Sequence, residues 1–159
     1  MYSAEILEGK HILIVDDEPD ILEALEEYLE TAVLYKATTY EAAVELLENP
    51  ELDIDLAILD IMGVRGYELL AIAVKKKIPS LMLTAHTLTP ESFDLSMKTG
   101  ADAFLPKDML SDIPFYVADS LRAAQEAKKP KKWFDKLEPF FKKRFGNVWL
   151  SEVRNLYVE

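Results

Sequence analysis

Four mainly apolar runs, at residues 12–16, 54–60, 79–84 and 101–107, each close on a polar or charged side chain, and that repeated ending constrains this chain most. In the first, Ile12, Leu13, Ile14 and Val15 are unbroken aliphatic side chains, the pattern of a strand covered on both faces in a parallel sheet. A strand with one wet face would alternate. A short run at 33–37 reads as a further strand. Between these runs the spacing changes to that of helices. After Pro19, the residues Ile21, Leu22, Leu25, Tyr28 and Leu29 share one helical face. Thr38 with Glu41 predicts a capping box that opens a helix to about Glu48, and residues 66–77 predict another. Thr89 and Pro90 open a helix closed by Gly100, while Asp112 and Pro114 start a long one to about Lys129. Strands and helices alternating five times predict an α/β fold, a doubly wound five-stranded parallel sheet.

In such sheets ligands bind beyond the carboxyl ends of the strands. The side chains there are Asp16, Asp17 and Glu18 after the first strand, Asp60 after the third, Thr84 after the fourth and Lys107 after the fifth. Carboxylates this close repel one another unless water or a cation offsets them. No cysteine and only two histidines are present, so disulfides and thiolate zinc sites are excluded, whereas an all-oxygen site for Mg²⁺ fits. A lysine ammonium and Mg²⁺ facing one carboxylate would neutralise an incoming phosphoryl group and leave that carboxylate as the nucleophile. Asp60 is the candidate, and the Thr84 hydroxyl could hydrogen-bond the product and couple it to loop movement.

The stretches "ILIVDDEPDIL", "DLAILDIM", "PSLMLTAH" and "GADAFLPK" together resemble the receiver domain of bacterial two-component response regulators, over roughly residues 9–127. The resemblance implies a flavodoxin-like receiver fold similar to the chemotaxis-Y type and phosphorelay signal transduction in the cytoplasm. It implies Asp60 as phosphoacceptor, Asp17 as a direct Mg²⁺ ligand, Asp16 as a ligand through water, and the Met62 backbone carbonyl as the remaining protein ligand. Thr84 and Lys107 would bind the phosphoryl oxygens, and Thr84 and Phe104 would form the switch. Met62 and His86 match the places that tune autodephosphorylation. The implied partners are a sensor histidine kinase or phosphotransfer protein and a downstream protein, and the implied chemistry is self-phosphotransfer rather than turnover of a substrate. Two departures stand out. The segment from Asp60 to Gly66 is about two residues shorter than the family pattern and has no proline, and Asp108 follows Lys107 where the family carries one. Gly63 and Gly66 are expected to let the tighter loop form.

Two other classes compete with this reading. A phosphatase of the haloacid dehalogenase type needs an acid two residues after its nucleophile, where this chain has Met62. A receiver-like module that binds partners without phosphorylation stays open. Residues 1–127 carry 9 basic and 25 acidic side chains, net −16, whereas residues 128–159 carry 9 basic and 4 acidic, net +5. That division predicts a receiver domain at 1–127 and a basic, aromatic-rich helical tail at 128–159. In the tail Trp133, Phe134, Leu137, Phe140, Phe141 and Phe145 share a helical face, which Pro139 is expected to split in two and Gly146 to end. The tail lacks a helix-turn-helix pattern, so no DNA-binding domain is expected. Its aromatics are expected to pack on the receiver or on a second copy, with a partner protein, a homodimer or an anionic membrane as the other readings. The chain start has no basic-then-apolar segment and no run of about 18 apolar residues occurs, so a cytoplasmic protein is expected.

Overall fold

A computed structural model describes residues 4–85 and 89–158. A 3₁₀ turn at Ala4–Leu7 leads into β1 (His11–Val15), α1 (Pro19–Tyr28), β2 (Val33–Ala37), α2 (Tyr40–Glu48), β3 (Leu56–Asp60) and α3 (Gly66–Lys75). These are followed by β4 (Ser80–Thr84), α4 (Pro90–Thr99), β5 (Ala103–Pro106), a 3₁₀ turn at Lys107–Asp112 and α5 (Ile113–Gln125). Two further helices, α6 (Lys132–Phe145) and α7 (Asn147–Val153), and a π-type turn at Arg154–Val158 close the chain.

All strand pairings are parallel, in the order β2-β1-β3-β4-β5. The order reverses between β1 and β3, so the carboxyl ends of those strands flank the crevice where such sheets bind ligands. Every residue of β3, β4 and β5 is buried, as unbroken apolar runs require, whereas β2 lies at the edge and is half exposed. Helices α1 and α5 touch on one face, and α2, α3 and α4 pack in succession on the other.

Several expected boundaries shift for local reasons. The cap of α2 is Thr39, whose hydroxyl accepts from Ala42 N at 3.1 Å, not Thr38. Tyr28 is exposed rather than part of the buried face of α1. Strand β5 ends at Pro106, and Lys107 opens the turn that follows. Helix α5 stops at Gln125, because Ala127 takes a left-handed backbone (φ +55°) that turns the chain toward α6.

The largest difference is at Pro139. Instead of splitting the tail, it sits inside one helix running from Lys132 to Phe145. Interior proline costs about 3 kcal/mol, but Trp133, Phe134, Leu137 and Phe141 are fully buried on this helix, and each large buried side chain contributes about 1.5–3 kcal/mol. Packing outweighs the lost hydrogen bond. Gly146 ends the helix as expected. The tail lies on its own chain, bridging α4 and α5 at the side of the sheet that ends in β5. Among the described residues, no helix is long and apolar enough to cross a membrane.

Candidate functional site

The chain turns sharply at the end of β1. Asp16 N donates to Ala37 O at 3.1 Å, and Asp16 Oδ1 accepts from Glu18 N at 2.9 Å, an Asx turn that hands the chain to Pro19 at the start of α1. The turn buries Asp16 completely and leaves Asp17 exposed above it. One strand away Asp60 ends β3 at 4 % exposure, held in register against Leu83 of β4.

The short loop after Asp60 is possible because two of its residues have no side chain. A Cβ on Gly63 would stand 2.2 Å from Asp17 Oδ2, and Gly63 has φ +83°. A Cβ on Gly66 would stand 2.1 Å from the Asp60 backbone oxygen. Both approaches are closer than any side chain permits, so the loop folds directly onto the acids. Arg65 between them takes the left-handed conformation (φ 56°), pairs with Glu68 and stacks over the Tyr40 ring at 3.9 Å. The Met62 side chain is 60 % exposed at the rim.

Lys107 reaches into the same cluster from the end of β5. Its Nζ lies 2.8 Å from Asp16 Oδ2, 2.8 Å from Glu18 Oε2 and 3.2 Å from Asp60 Oδ1. No cis peptide occurs among the described residues, so the lysine is aimed without the cis bond that a following proline would have offered. Three carboxylates fix its position instead. Burial works against the Lys107 ammonium, but hydrogen bonds to Asp16 and Glu18 and the Asp60 charge outweigh it and hold its pKa above the ordinary value. For Asp60, burial first and the Asp16 charge second push the pKa up to about 6, against the opposing pull of Lys107. Burial also raises Asp16.

Asp16, Asp17 and Asp60 each present one carboxylate oxygen, all within 4.8 Å of one another. A donor set of oxygens alone, with no thiolate or imidazole in it, fits a hard divalent cation rather than zinc or copper. Thr84 is buried at the end of β4, paired with Pro106. Phe104 is fully buried against Phe93 of α4 with ring centroids 5.3 Å apart. His86 lies outside the described residues. The structure thus gathers Asp16, Asp17, Asp60 and Lys107 and places Thr84 at the neighbouring strand end. Glu18 was missed as a partner of Lys107. Its only signal in the sequence was membership of the acidic run, which an ordinary helix entry shares.

Comparison with known proteins agrees with this geometry. The profile of the response regulator receiver domain matches residues 12–113. The response regulator SaeR of Staphylococcus aureus is 37% identical over 101 residues, covering 61% of this chain and 43% of SaeR. The chain therefore spans less than half the length of the curated relatives it matches. Among solved structures, a CheY-like receiver domain protein from Methanospirillum hungatei JF-1 superimposes with a TM-score of 0.68 at 28% identity, over 76% of this chain and 99% of that one. A putative response regulator from Chloroflexus aurantiacus J-10-fl gives a TM-score of 0.61 at 25% identity, over 72% and 98%. With its sheet order, its strand-end acids and a profile match over more than half its length, the chain belongs to the response regulator receiver domain family.

Proposed function

We propose that this chain accepts a phosphoryl group on Asp60 from the phosphohistidine of a sensor kinase or phosphotransfer protein and signals through protein contacts. The observation that carries this reading is the Lys107 ammonium 3.2 Å from Asp60 Oδ1, inside a cluster of three acids. An Asp60 oxygen attacks phosphorus in line, the P–N bond to the donor histidine breaks, and the phosphoryl group becomes an acyl phosphate. With a pKa of about 6, Asp60 is largely ionised at neutral pH and able to attack. Lys107 already faces the Asp60 carboxylate, so it stands where it can turn to the phosphoryl oxygens as the carboxylate gives up its own charge. The Thr84 hydroxyl, on the adjacent strand, donates to a phosphoryl oxygen. Asp16, Asp17 and Asp60, with the Met62 carbonyl that the family resemblance implies, would hold Mg²⁺, which would supply counter-charge to the phosphoryl oxygens.

Intact mass after incubation with acetyl phosphate and Mg²⁺ tests this. A gain of one phosphoryl group in the wild type, absent from Asp60→Asn and from a chelated sample, is the expected result. A folded wild type that gains no mass would overturn the reading, and leave a module that binds partners without phosphorylation.

A further inference from the structure

We propose that the C-terminal segment, residues 128–158, is a resident occupant of the surface formed by α4 and α5, and that phosphorylation of Asp60 loosens its hold through Thr84, Phe104 and Phe93. This regulation rests on Asp60 being the phosphoacceptor.

Phe93 is the hub. On one side it meets Phe104 of β5 at 5.3 Å between ring centroids. On the other it meets Phe141 at 5.4 Å, Trp149 at 5.2 Å, Trp133 and Tyr157 at 6.2 Å and Phe134 at 6.4 Å, all from the C-terminal segment. One side chain therefore joins β5 to both α6 and α7. Polar contacts hold the margins of the seam. Trp133 N donates to Asp119 of α5 at 2.8 Å, Lys129 donates to Asp102 at 2.7 Å and to Gly100 O at 3.1 Å, and Tyr157 donates to Asp94 of α4. The net charges, +5 on residues 128–159 against −16 on the rest, favour docking over detachment in the resting state.

Strand β4 lies between the hub's partner Phe104 and the candidate phosphoacceptor Asp60. Phe104 pairs in register with Met82, and Thr84 is two residues further along β4, so Thr84 and Phe104 leave the sheet on one face. Drawing the Thr84 hydroxyl toward a phosphoryl group on Asp60 alters the space beside Phe104. Phe93, whose ring meets that of Phe104, is displaced with it. Close-packed rings have no slack, so a shift there is answered by repacking between discrete arrangements rather than by gradual deformation. The segment fits the arrangement without phosphate, and it loses that fit when Phe93 moves.

Both tryptophans of the chain, Trp133 and Trp149, lie in the segment, so their emission reports it directly. The full chain is treated with acetyl phosphate and Mg²⁺, and intact mass, tryptophan emission and acrylamide quenching are read on the same samples. Coupled sites typically shift one another about 5- to 150-fold, so the undocked fraction should rise by that factor, with red-shifted and more readily quenched emission. Full phosphoryl uptake with unchanged emission and quenching overturns the coupling and leaves the phosphoacceptor reading intact. No uptake overturns both. Phe93→Leu keeps an apolar side chain but removes the ring bridge, and should take up phosphate while losing the tryptophan response; a response of full size overturns the route through Phe93. Should that variant not fold, Asp119→Ala supplies an independent reading. Linkage is reciprocal, so loosening the segment must tighten binding of beryllofluoride with Mg²⁺ by the same factor, and unchanged affinity overturns the proposal.

Discussion

Two regions of this molecule bury their key side chains equally well and for opposite reasons. At the carboxyl ends of β1 and β3, Asp16 and Asp60 are taken out of water with one lysine to share among three carboxylates. Under the C-terminal helices, Trp133, Phe134 and Phe141 are taken out of water against Phe93, and the buried carboxylates at that seam, Asp119 and Asp102, accept from the Trp133 backbone N–H and the Lys129 ammonium. The first region is held in place against its own repulsion by the rest of the fold, whereas the second holds itself. A site proposed to accept a further anion and a cation has to be left incomplete, and an aromatic seam has to be complete to exist.

The sharpest break of that contrast is to remove a ring. Trp133→Ala should lower unfolding free energy by about 3–5 kcal/mol, measured by urea denaturation, since a large buried side chain leaves a cavity that neighbours refill only partly. A loss under about 1 kcal/mol would mean that the seam is not a core. Gly66→Ala should cost about 1–3 kcal/mol, because the added carbon meets the Asp60 backbone oxygen and the chain must shift. The same shift should slow phosphoryl uptake, read by mass.

At the acid cluster the sign inverts. The Asp60 pKa is raised in the folded chain, so between about pH 4 and pH 6 the native state binds more protons than the unfolded state, and stability falls as pH rises through that window. In metal-free buffer Asp60→Asn should remove this slope and gain on the order of 2 kcal/mol at pH 8 in chemical denaturation, a stabilising mutation at the proposed phosphoacceptor. Equal stability of the two proteins at pH 8 would show that Lys107 already neutralises the cluster. Mg²⁺ at a hundred times its dissociation constant should stabilise the wild type by about 2.7 kcal/mol, with much of that lost in Asp17→Asn. The smallest effect belongs to an exposed ion pair. Lys36→Ala breaks the contact to Glu26 at 2.6 Å and should change stability by less than about 1 kcal/mol.

What could be read from the sequence follows the same division. The strand-end residues were legible because an unbroken apolar run states where a buried strand is, and the residue after it must stand at the sheet's end. Asp16, Asp60, Thr84 and Lys107 all fell into place this way. Spacing could not show that Glu18 turns back to Lys107, since that contact joins residues 89 apart in the chain. The cap of α2 slipped by one residue because Thr38 and Thr39 offer the same hydroxyl, and only backbone geometry chooses between them. Pro139 misled for a different reason. Local propensity argued for a break, while the buried rings on both sides of it act through tertiary contacts that no window of sequence contains. The aromatic stripe was visible, but a stripe states only that it will be covered.

The hydrogen bond from Trp133 N to Asp119 also governs how this chain can be cut. Truncation after residue 127 removes the donor and leaves Asp119 facing exposed apolar surface, with Phe93 stripped of five neighbouring rings. A shortened protein made for convenience would carry a sticky face of its own making, and its self-association would say nothing about the full chain. Any useful truncation has to rewrite Phe93 together with the cut.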